Sequence, residues 1–331
     1  MTRRVLRVAT RGSDLALAQS GAIARRVAKT LGCEAELVVI TTSGDVMKDV
    51  PLANIGGKGL FVKEIEEALL ANEADIAVHS AKDLPAAVAP GCALAVFPER
   101  VDPRDALVGP AQGERVSVAS LPRGARVGTG SARRGAQLLA QRPDLEMVAL
   151  RGNVPTRIQK IADDDLAAVV LACAGLERLG LAERIHERIA TDQLLPAVCQ
   201  GTLALETRAD DPLREELQAV SDPDATLATE AERAFLLRLE GDCNVPLAAF
   251  AERDGAHGLK LRGLVCELAG GRIVRDEAQC ELPRAGVAER CAAAAALGRR
   301  VGDAVIAAGG DVILAEHRAR ADAERAERGG S

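Results

Sequence analysis

Short apolar runs alternate with amphipathic helical stretches along the chain up to about residue 207, and this alternation most constrains the fold. Val5–Thr10, Glu36–Thr42 and Asp75–Val78 are predicted strands, because each is short and largely apolar. Ser13 and Asp14 can cap a helix between the first two strands. Strands that alternate with helices are typical of open sheets with a parallel core.

The same alternation resumes further along and then stops. Strands are predicted at Arg126–Gly128, Leu145–Leu150 and Leu166–Ala172. From Asp222 onward the pattern changes to one strong helix over Ala225–Glu240, three strand segments and a long Ala-rich helix. We therefore expect an α/β protein with two βα lobes, followed by a small α+β C-terminal domain.

The charge distribution favours a small anionic ligand. The net charge is −6, so the surface as a whole does not attract polyanions. Segment 123–160, however, carries eight basic and two acidic residues, a local charge of +6. The chain has no Trp, no Tyr and only four Phe, so it offers almost no aromatic platform for nucleic-acid bases. We expect a small-molecule substrate and no nucleic-acid partner.

The cysteines and histidines indicate the redox state of the cellular compartment and bear on whether a metal site is present. The eight cysteines are scattered without a CxxC pair, and the four histidines show no metal-ligand spacing. This argues against a disulfide framework and against a zinc site. The basic N-terminus lacks an apolar run of secretory length, and no stretch approaches 18 uninterrupted apolar residues. We expect a cytoplasmic protein with reduced thiols, no metal and no membrane span.

A carboxylate beside an ammonium group follows the third predicted strand directly, in the segment His79–Pro85. Open α/β sheets bind ligands at the carboxyl ends of their strands, so Lys82 and Asp83 are predicted site residues. A carboxylate in that position can stabilise a cation or shuttle a proton. The plainer alternative is a solvated pair, since most aspartates are exposed.

Neither of the two glycine-rich segments of the chain fits the pattern of a phosphate-binding loop. In Gly128–Gly135 the third glycine comes too late for a dinucleotide fingerprint. Its small residues instead let a carboxylate approach a helix N-terminus, where Arg133 and Arg134 supply forked donors; the alternative is an ordinary turn with a solvated arginine pair. Gly56–Gly59, around Lys58, lacks the P-loop pattern and is predicted to be a mobile loop that can act as a lid.

A single cysteine stands out by its position. Free cysteines usually fill cores, but Cys243 lies just past a predicted helix end, between Gly241 and Pro246. The neighbouring carboxylate of Asp242 disfavours the thiolate. This favours an alkylated thioether over a nucleophile that turns over.

Taken together, these segments resemble the porphobilinogen deaminase (hydroxymethylbilane synthase) family over nearly the full chain. HSxKDxP with a downstream RLEGxCxxP is specific to that family. The matching segments, in order, are Arg7–Ser13, Pro51–Glu64, Asp75–Pro85, Asp102–Ala106, Gly128–Arg134, Leu150–Arg157, Ala174–Leu181, Leu195–Gly201 and Ala231–Pro246.

The resemblance implies three domains and a monomer. The first two domains resemble periplasmic binding proteins and close over a cleft by hinge motion. Residues 1–101 with 196–220 would form the first lobe, 102–195 the second, and 221–317 the third domain, with 318–331 as a flexible tail. The third domain would carry a dipyrromethane cofactor, joined by a thioether to Cys243.

The resemblance also implies the reaction. Enzymes of this family add four porphobilinogen units head to tail with loss of ammonia, then release linear 1-hydroxymethylbilane for tetrapyrrole (haem) biosynthesis. Asp83 matches the catalytic aspartate, which assists ammonia loss, stabilises the azafulvenium cation and helps remove the α-proton. Further cofactor or substrate contacts match Arg11, Ser13, Lys82, Thr129, Ser131, Arg133, Arg134, Arg151, Arg157 and Arg178.

The chain departs from the family pattern at four positions. Asn54 replaces a common Lys before the lid loop, Gly130 a common Ser, and Cys199 and Asp242 each a Gly. We expect Gly130 to remove a hydroxyl donor, Cys199 to press on the hinge, and Asp242 to slow cofactor attachment. The alternative function is a non-catalytic, two-lobed anion-binding protein, which would need neither Cys243 nor a third domain.

Overall fold

The computed structural model describes residues 4–46, 62–239 and 246–329. Within them, thirteen strands form three sheets. The strands are β1 (Val5–Arg11), β2 (Glu34–Ile40), β3 (Ile76–Ser80), β4 (Cys92–Val96), β5 (Asp105–Val108), β6 (Arg126–Thr129), β7 (Glu146–Ala149), β8 (Ala168–Ala172), β9 (Glu187–Arg188), β10 (Leu203–Arg208), β11 (Leu247–Asp254), β12 (Gly258–Cys266) and β13 (Ile273–Glu281).

Helices flank these sheets. Ten α-helices lie in the described residues, together with 3₁₀ turns at Ala81–Asp83, Ala182–Arg184 and Gln218–Val220. The α-helices are α1 (Asp14–Leu31), α2 (Ser43–Val46), α3 (Lys63–Leu70), α4 (Ala132–Gln141), α5 (Val154–Asp163), α6 (Cys173–Arg178), α7 (Leu213–Leu217), α8 (Pro223–Arg238), α9 (Val287–Ala307) and α10 (Gly310–Gly329). No helix in this part of the chain is long and apolar enough to span a membrane.

Two of the sheets follow one plan. Their strand orders are β2-β1-β3-β10-β4 and β7-β6-β8-β5-β9. In each sheet three strands are parallel, and a fourth runs antiparallel beside them, β10 against β3 and β5 against β8. The chain crosses from the first sheet to the second over residues 97–104 and returns over residues 189–202. The predicted α/β class with two βα lobes is confirmed.

The third sheet belongs to the small C-terminal domain. Strands β11, β12 and β13 form an antiparallel meander that α8 and α9 cover. The carboxylate of Asp222 caps α8 by accepting from the backbone N–H groups of Asp224 and Ala225, both at 2.9 Å. Phe235 on α8 is fully buried, and its ring occupies the space that a Cβ on Gly263 would need. The predicted α+β domain is confirmed.

The C-terminus differs from the sequence-based expectation. Helix α10 extends to Gly329, where the mixed-charge sequence suggested a frayed tail from Arg318. Ala, Arg and Glu dominate this stretch, and they are strong helix formers whatever the charge pattern. Ile313 and Leu314 near the start of α10 are buried in the core of the third domain. The limits of the three domains stay a prediction.

The core of the third domain can be tested at Phe235. We expect Phe235→Ala to lower the free energy of unfolding by about 3–5 kcal/mol, because it leaves a cavity between α8 and the sheet. Leu237→Ala on the same helix is the control: Leu237 is 58% exposed, and its loss should change stability by less than about 0.5 kcal/mol. Urea unfolding followed by circular dichroism measures both. Equal losses would contradict the described packing.

Candidate active site

The two lobes meet at the carboxyl ends of their strands. Helix α1 of the first lobe contacts α6 of the second, and each helix begins directly after a strand, β1 and β8 respectively. This edge is where open α/β sheets bind ligands. A cleft with about 490 Å³ of empty volume, including the part open to solvent, lies on the first lobe here. Its lining includes Arg11, Ser13, Gln19, His79, Ser80 and Asp83.

The first lobe places its polar groups at the ends of β1 and β3. Ser13 caps α1, with its Oγ accepting from the backbone N–H of Ala16 at 3.3 Å. Gln19 Nε2 donates to Ser80 Oγ at 3.2 Å. Lys82 and Asp83 lie in the 3₁₀ turn that follows β3 immediately, and Asp83 is exposed to solvent. Burial lowers the pKa of the Lys82 ammonium, while the charge of Asp83 raises it.

The second lobe contributes the turn between β6 and α4. Thr129 ends β6, and its Oγ1 accepts from the backbone N–H of Ser131 at 3.2 Å. A Cβ at Gly130 would lie 2.6 Å from the carbonyl oxygen of Leu150. The glycine at this position therefore permits a close approach of two backbones, directly before Arg151 in the sequence.

Arg133 and Arg134 are buried around one carboxylate. Arg133 donates from Nη1 and Nη2 to Asp105, at 2.8 and 3.1 Å, and Arg134 Nε donates to Asp105 Oδ1 at 2.8 Å. Both guanidiniums are about 5% exposed, and Asp105 is fully buried. Burial raises the pKa of Asp105, but the two arginines outweigh it and hold the pKa at about 2. Asp105 therefore contributes stability that is present at neutral pH and lost as the pH falls toward 2.

Arg151 and Arg157 are in a different situation. Neither side chain has a hydrogen bond or ion pair with another residue that the structure describes, and Arg157 Nε is a buried donor without a partner. The pKa of Arg157 is lowered to about 10, first by burial and then by the charges of Arg134 and Arg151, while Asp83 raises it. Arg157 is thus a half-buried cation without a carboxylate partner among the described residues.

Arg178 lies at the junction of the two crossovers. Its Nη2 donates to the carbonyl oxygen of Gly201 at 2.9 Å and lies 3.9 Å from Glu99 Oε1. Burial is the main cause that lowers its pKa. Arg178 therefore links the second lobe to both connecting segments, in addition to any role toward a ligand.

Cys199, beside that junction, has an unusual backbone. It is buried and has a φ of 59°, in the left-handed region that favours the glycine common at this position. Its N–H donates to Glu232 Oε2 at 2.5 Å, and Arg100 Nη1 donates to the other oxygen of Glu232 at 2.7 Å. Cys199 thus packs the second crossover, of which it is part, against α8 of the third domain.

Several predicted residues lie outside the described part of the chain. These are Lys58 of the lid loop and the anchoring Cys243, together with the departures at Asn54 and Asp242. The roles of these residues stay predictions.

Sequence reasoning missed the residues that support the site. Asp105 and Gln200 lie within matched segments, yet nothing in their local pattern marks them as partners of the arginines. The buried pair of His79 Nε2 and Glu206 Oε2, 2.9 Å apart between β3 and β10, was missed for the same reason. The one sequence signal available for it is a charged residue inside an apolar strand, as at Glu206.

Comparison with known proteins decides the family. Residues 6–216 match the model of the family described as "Porphobilinogen deaminase, dipyromethane cofactor binding domain", and residues 226–307 match its C-terminal domain. The chain is 48% identical over 318 residues to the porphobilinogen deaminase of Syntrophotalea carbinolica, covering 95% of this chain and 96% of the relative. It is 47% identical to that of Geobacter sulfurreducens, covering 94% of each.

The chain belongs to the porphobilinogen deaminase family. It is therefore a transferase with a dipyrromethane cofactor, and its reaction is the hydroxymethylbilane synthase reaction of that family. Among solved structures, the chain is similar to the periplasmic VFT2 domain of Bordetella pertussis BvgS, at 18% identity and a TM-score of 0.40 over 65% of this chain and 86% of that one. The two-lobed architecture rests on the strand order, and not on this weak likeness.

Arg157 allows a test in which stability and affinity move in opposite directions. We expect Arg157→Gln to raise the KM for porphobilinogen about tenfold or more, because a charge-assisted hydrogen bond is lost. The chain freed of cofactor should be at least as stable as its parent, because a half-buried cation without a carboxylate partner among the described residues is removed. Steady-state kinetics and thermal unfolding measure the two effects. Arg123→Gln, at an exposed site on the same lobe, is the control, and an unchanged KM at Arg157 would contradict the assignment.

Proposed function

We propose that Asp83 is the catalytic carboxylate of the reaction and that the cleft between the lobes holds the growing pyrrole chain. Asp83 is exposed at the carboxyl end of β3 and lines the cleft with Arg11 and Ser13. Its charge also acts on Arg157 of the second lobe. The observation that carries the proposal is this exposed carboxylate, which follows β3 directly and lines the cleft of the first lobe beside Arg11.

A negative group suits the chemistry at this position. When ammonia leaves porphobilinogen, positive charge develops on the pyrrole of the substrate, and a fixed carboxylate stabilises it without reorganisation. The same carboxylate can accept the α-proton after the units are joined. Lys82, next to it in the same 3₁₀ turn, can donate hydrogen bonds to a carboxylate of the substrate.

The basic groups of the cleft fit the substrate. Each pyrrole carries an acetate and a propionate, so the growing chain is a polyanion. Arg151 and Arg157, which lack a carboxylate partner among the described residues, suit direct contact with these groups. The remaining proposed contacts are Arg11, Ser13, Lys82, Thr129, Ser131, Arg133, Arg134 and Arg178, with Lys58 in the lid loop.

The cofactor fits the same donors. The unpaired Nε of Arg157 and the guanidinium of Arg151 would hold its carboxylates, and the Cys243 thiol would bind it as a thioether. When bound, the dipyrromethane supplies the anchored end onto which the units are added. The chain's own part is to orient these carboxylates and to keep Asp83 beside the reacting pyrrole.

We further propose that the protein is a cytoplasmic monomer that binds no nucleic acid. The thiols of the seven cysteines that the structure describes are all free, which suits a reducing compartment. The net charge of −6 disfavours nucleic acid.

Asp83→Asn tests the catalytic assignment. The amide keeps the shape of the side chain but lacks the charge, so we expect retained binding of porphobilinogen and a loss of kcat of about a hundredfold or more. Asp163→Asn, on the exposed end of α5, is the matched control and should keep full turnover. Single-turnover kinetics with porphobilinogen measure both, and near-normal turnover in Asp83→Asn would exclude the role.

The intact mass of the purified chain tests the anchor. We expect an increment the size of a dipyrromethane in the parent and in Cys291→Ser, which changes another cysteine of the third domain. The increment should be absent in Cys243→Ser, because no thioether can form. An unmodified parent after incubation with porphobilinogen would support the anion-binding alternative and implicate Asp242 in the loss of the anchor.

A further inference from the structure

We propose that Arg233, on helix α8 of the third domain, is a positioning residue for the reaction: it holds the backbone that follows Asp83 and thereby fixes the place of this carboxylate at the cleft. The inference rests on the proposed function, in which Asp83 is the catalytic carboxylate. Arg233 is not among the described residues that line the cleft of the first lobe, so its effect on the reaction passes through Asp83.

The guanidinium of Arg233 reaches from the third domain to the first lobe. Its Nη2 donates to the carbonyl oxygen of Pro85 at 3.1 Å and to that of Ala86 at 2.8 Å. Residues 84–90 form neither helix nor strand, so regular secondary structure does not hold these two carbonyls. A charged donor makes stronger hydrogen bonds than a neutral one. Arg233 therefore fixes a segment of backbone that has no ladder of its own.

The chain between these carbonyls and Asp83 is short and stiff. The ring of Pro85 fixes its φ, and the residue before a proline is restricted to extended conformations. Leu84 is extended, with φ −73° and ψ 141°, and its N–H donates to the carbonyl oxygen of Ala81 at 3.3 Å. This bond closes the 3₁₀ turn that carries Asp83. Holding the carbonyl of Pro85 consequently restricts the orientation of that turn.

Apolar packing sets which side of the turn is buried. Ala81 and Leu84 are buried in the same hydrophobic core cluster as Ala231 of α8. Asp83, between them, is exposed and lines the cleft. Apolar contacts are non-directional, so they bury one side of the turn without fixing its exact orientation. The directional constraint comes from the hydrogen bonds of Arg233.

The test is steady-state kinetics with porphobilinogen on Arg233→Gln and Arg233→Lys. We expect Arg233→Gln to lower kcat about tenfold or more, because a misplacement of about 1 Å in a reacting group can cost a hundredfold in rate. KM should stay within about twofold of the parent value, since Arg233 does not contact the substrate. Arg233→Lys should recover kcat to within about threefold of the parent, because its ammonium can donate to the same two carbonyls.

A double-mutant cycle with Asp83→Asn shows whether Arg233 acts through Asp83. When the carboxylate is absent, Arg233→Gln should change the single-turnover rate by less than about twofold, because the group that it positions is gone. Intact mass and thermal unfolding of each variant show that the cofactor and the fold are retained.

Arg238→Gln is the matched control on the same helix. Arg238 forms an exposed ion pair with Asp303 within the third domain, and we expect its loss to leave kcat within about twofold of the parent. If Arg233→Gln does not fold, Arg233→Met takes its place. Methionine retains an apolar stem of similar length but lacks the donors, so the same loss of kcat is expected.

Three results would overturn the inference. The first is a folded Arg233→Gln or Arg233→Met with the kcat of the parent and only a lower unfolding temperature, which would show a merely structural role. The second is a raised KM at unchanged kcat, which would show direct binding of substrate. The third is a loss of rate that multiplies with that of Asp83→Asn. A failure of the proposed function is distinguishable, because it appears as near-normal turnover in Asp83→Asn alone.

Discussion

Two buried carboxylates hold the segment through which the chain returns between its lobes. Asp105 of the second lobe accepts from the side chain of Gln200, and Glu232 of the third domain accepts from the N–H of the preceding residue, Cys199. Glu232 also pairs with Arg100 of the first crossover. Burying a charge is unfavourable unless every partner is in place. These contacts therefore favour the arrangement of the three parts seen here, and the position of the connecting segments between the lobes depends on them.

The same principle divides the arginines that we propose as substrate contacts into two kinds. Arg133 and Arg134 share an internal carboxylate, whereas Arg151 and Arg157 have none among the described residues. The growing polyanion must be held while it is lengthened and then be released. Arginines of two kinds suit this requirement, because binding substrate and transition state equally tightly would lower KM without raising kcat. The field acting on Asp83 is consequently set by fixed groups before any ligand enters.

Two departures from the family pattern, at Gly130 and Cys199, affect the local backbone. At Gly130 a Cβ would lie 2.6 Å from the carbonyl oxygen of Leu150, so glycine, which also lacks the hydroxyl of serine, permits this close approach of two backbones. At Cys199 a side chain occupies a left-handed conformation, which costs on the order of 1–2 kcal/mol. The bond from its N–H to buried Glu232 offsets part of that cost.

The sequence by itself determined what depends on near neighbours: the alternation of strands and helices, the change of pattern at Asp222, and the exposed Asp83 at a strand end. Helix α10 continues past Arg318 to Gly329, and the flexibility expected of this stretch stays a prediction. The sequence did not identify the partners of Arg134, Cys199 or His79. Asp105 and Arg134 are 29 residues apart, and Arg100 and Glu232 are 132 apart. Only the tertiary structure decided these pairs. The order of strands in the sheets, with the helices and crossovers packed on them, determines which distant carboxylate is buried beside which cation.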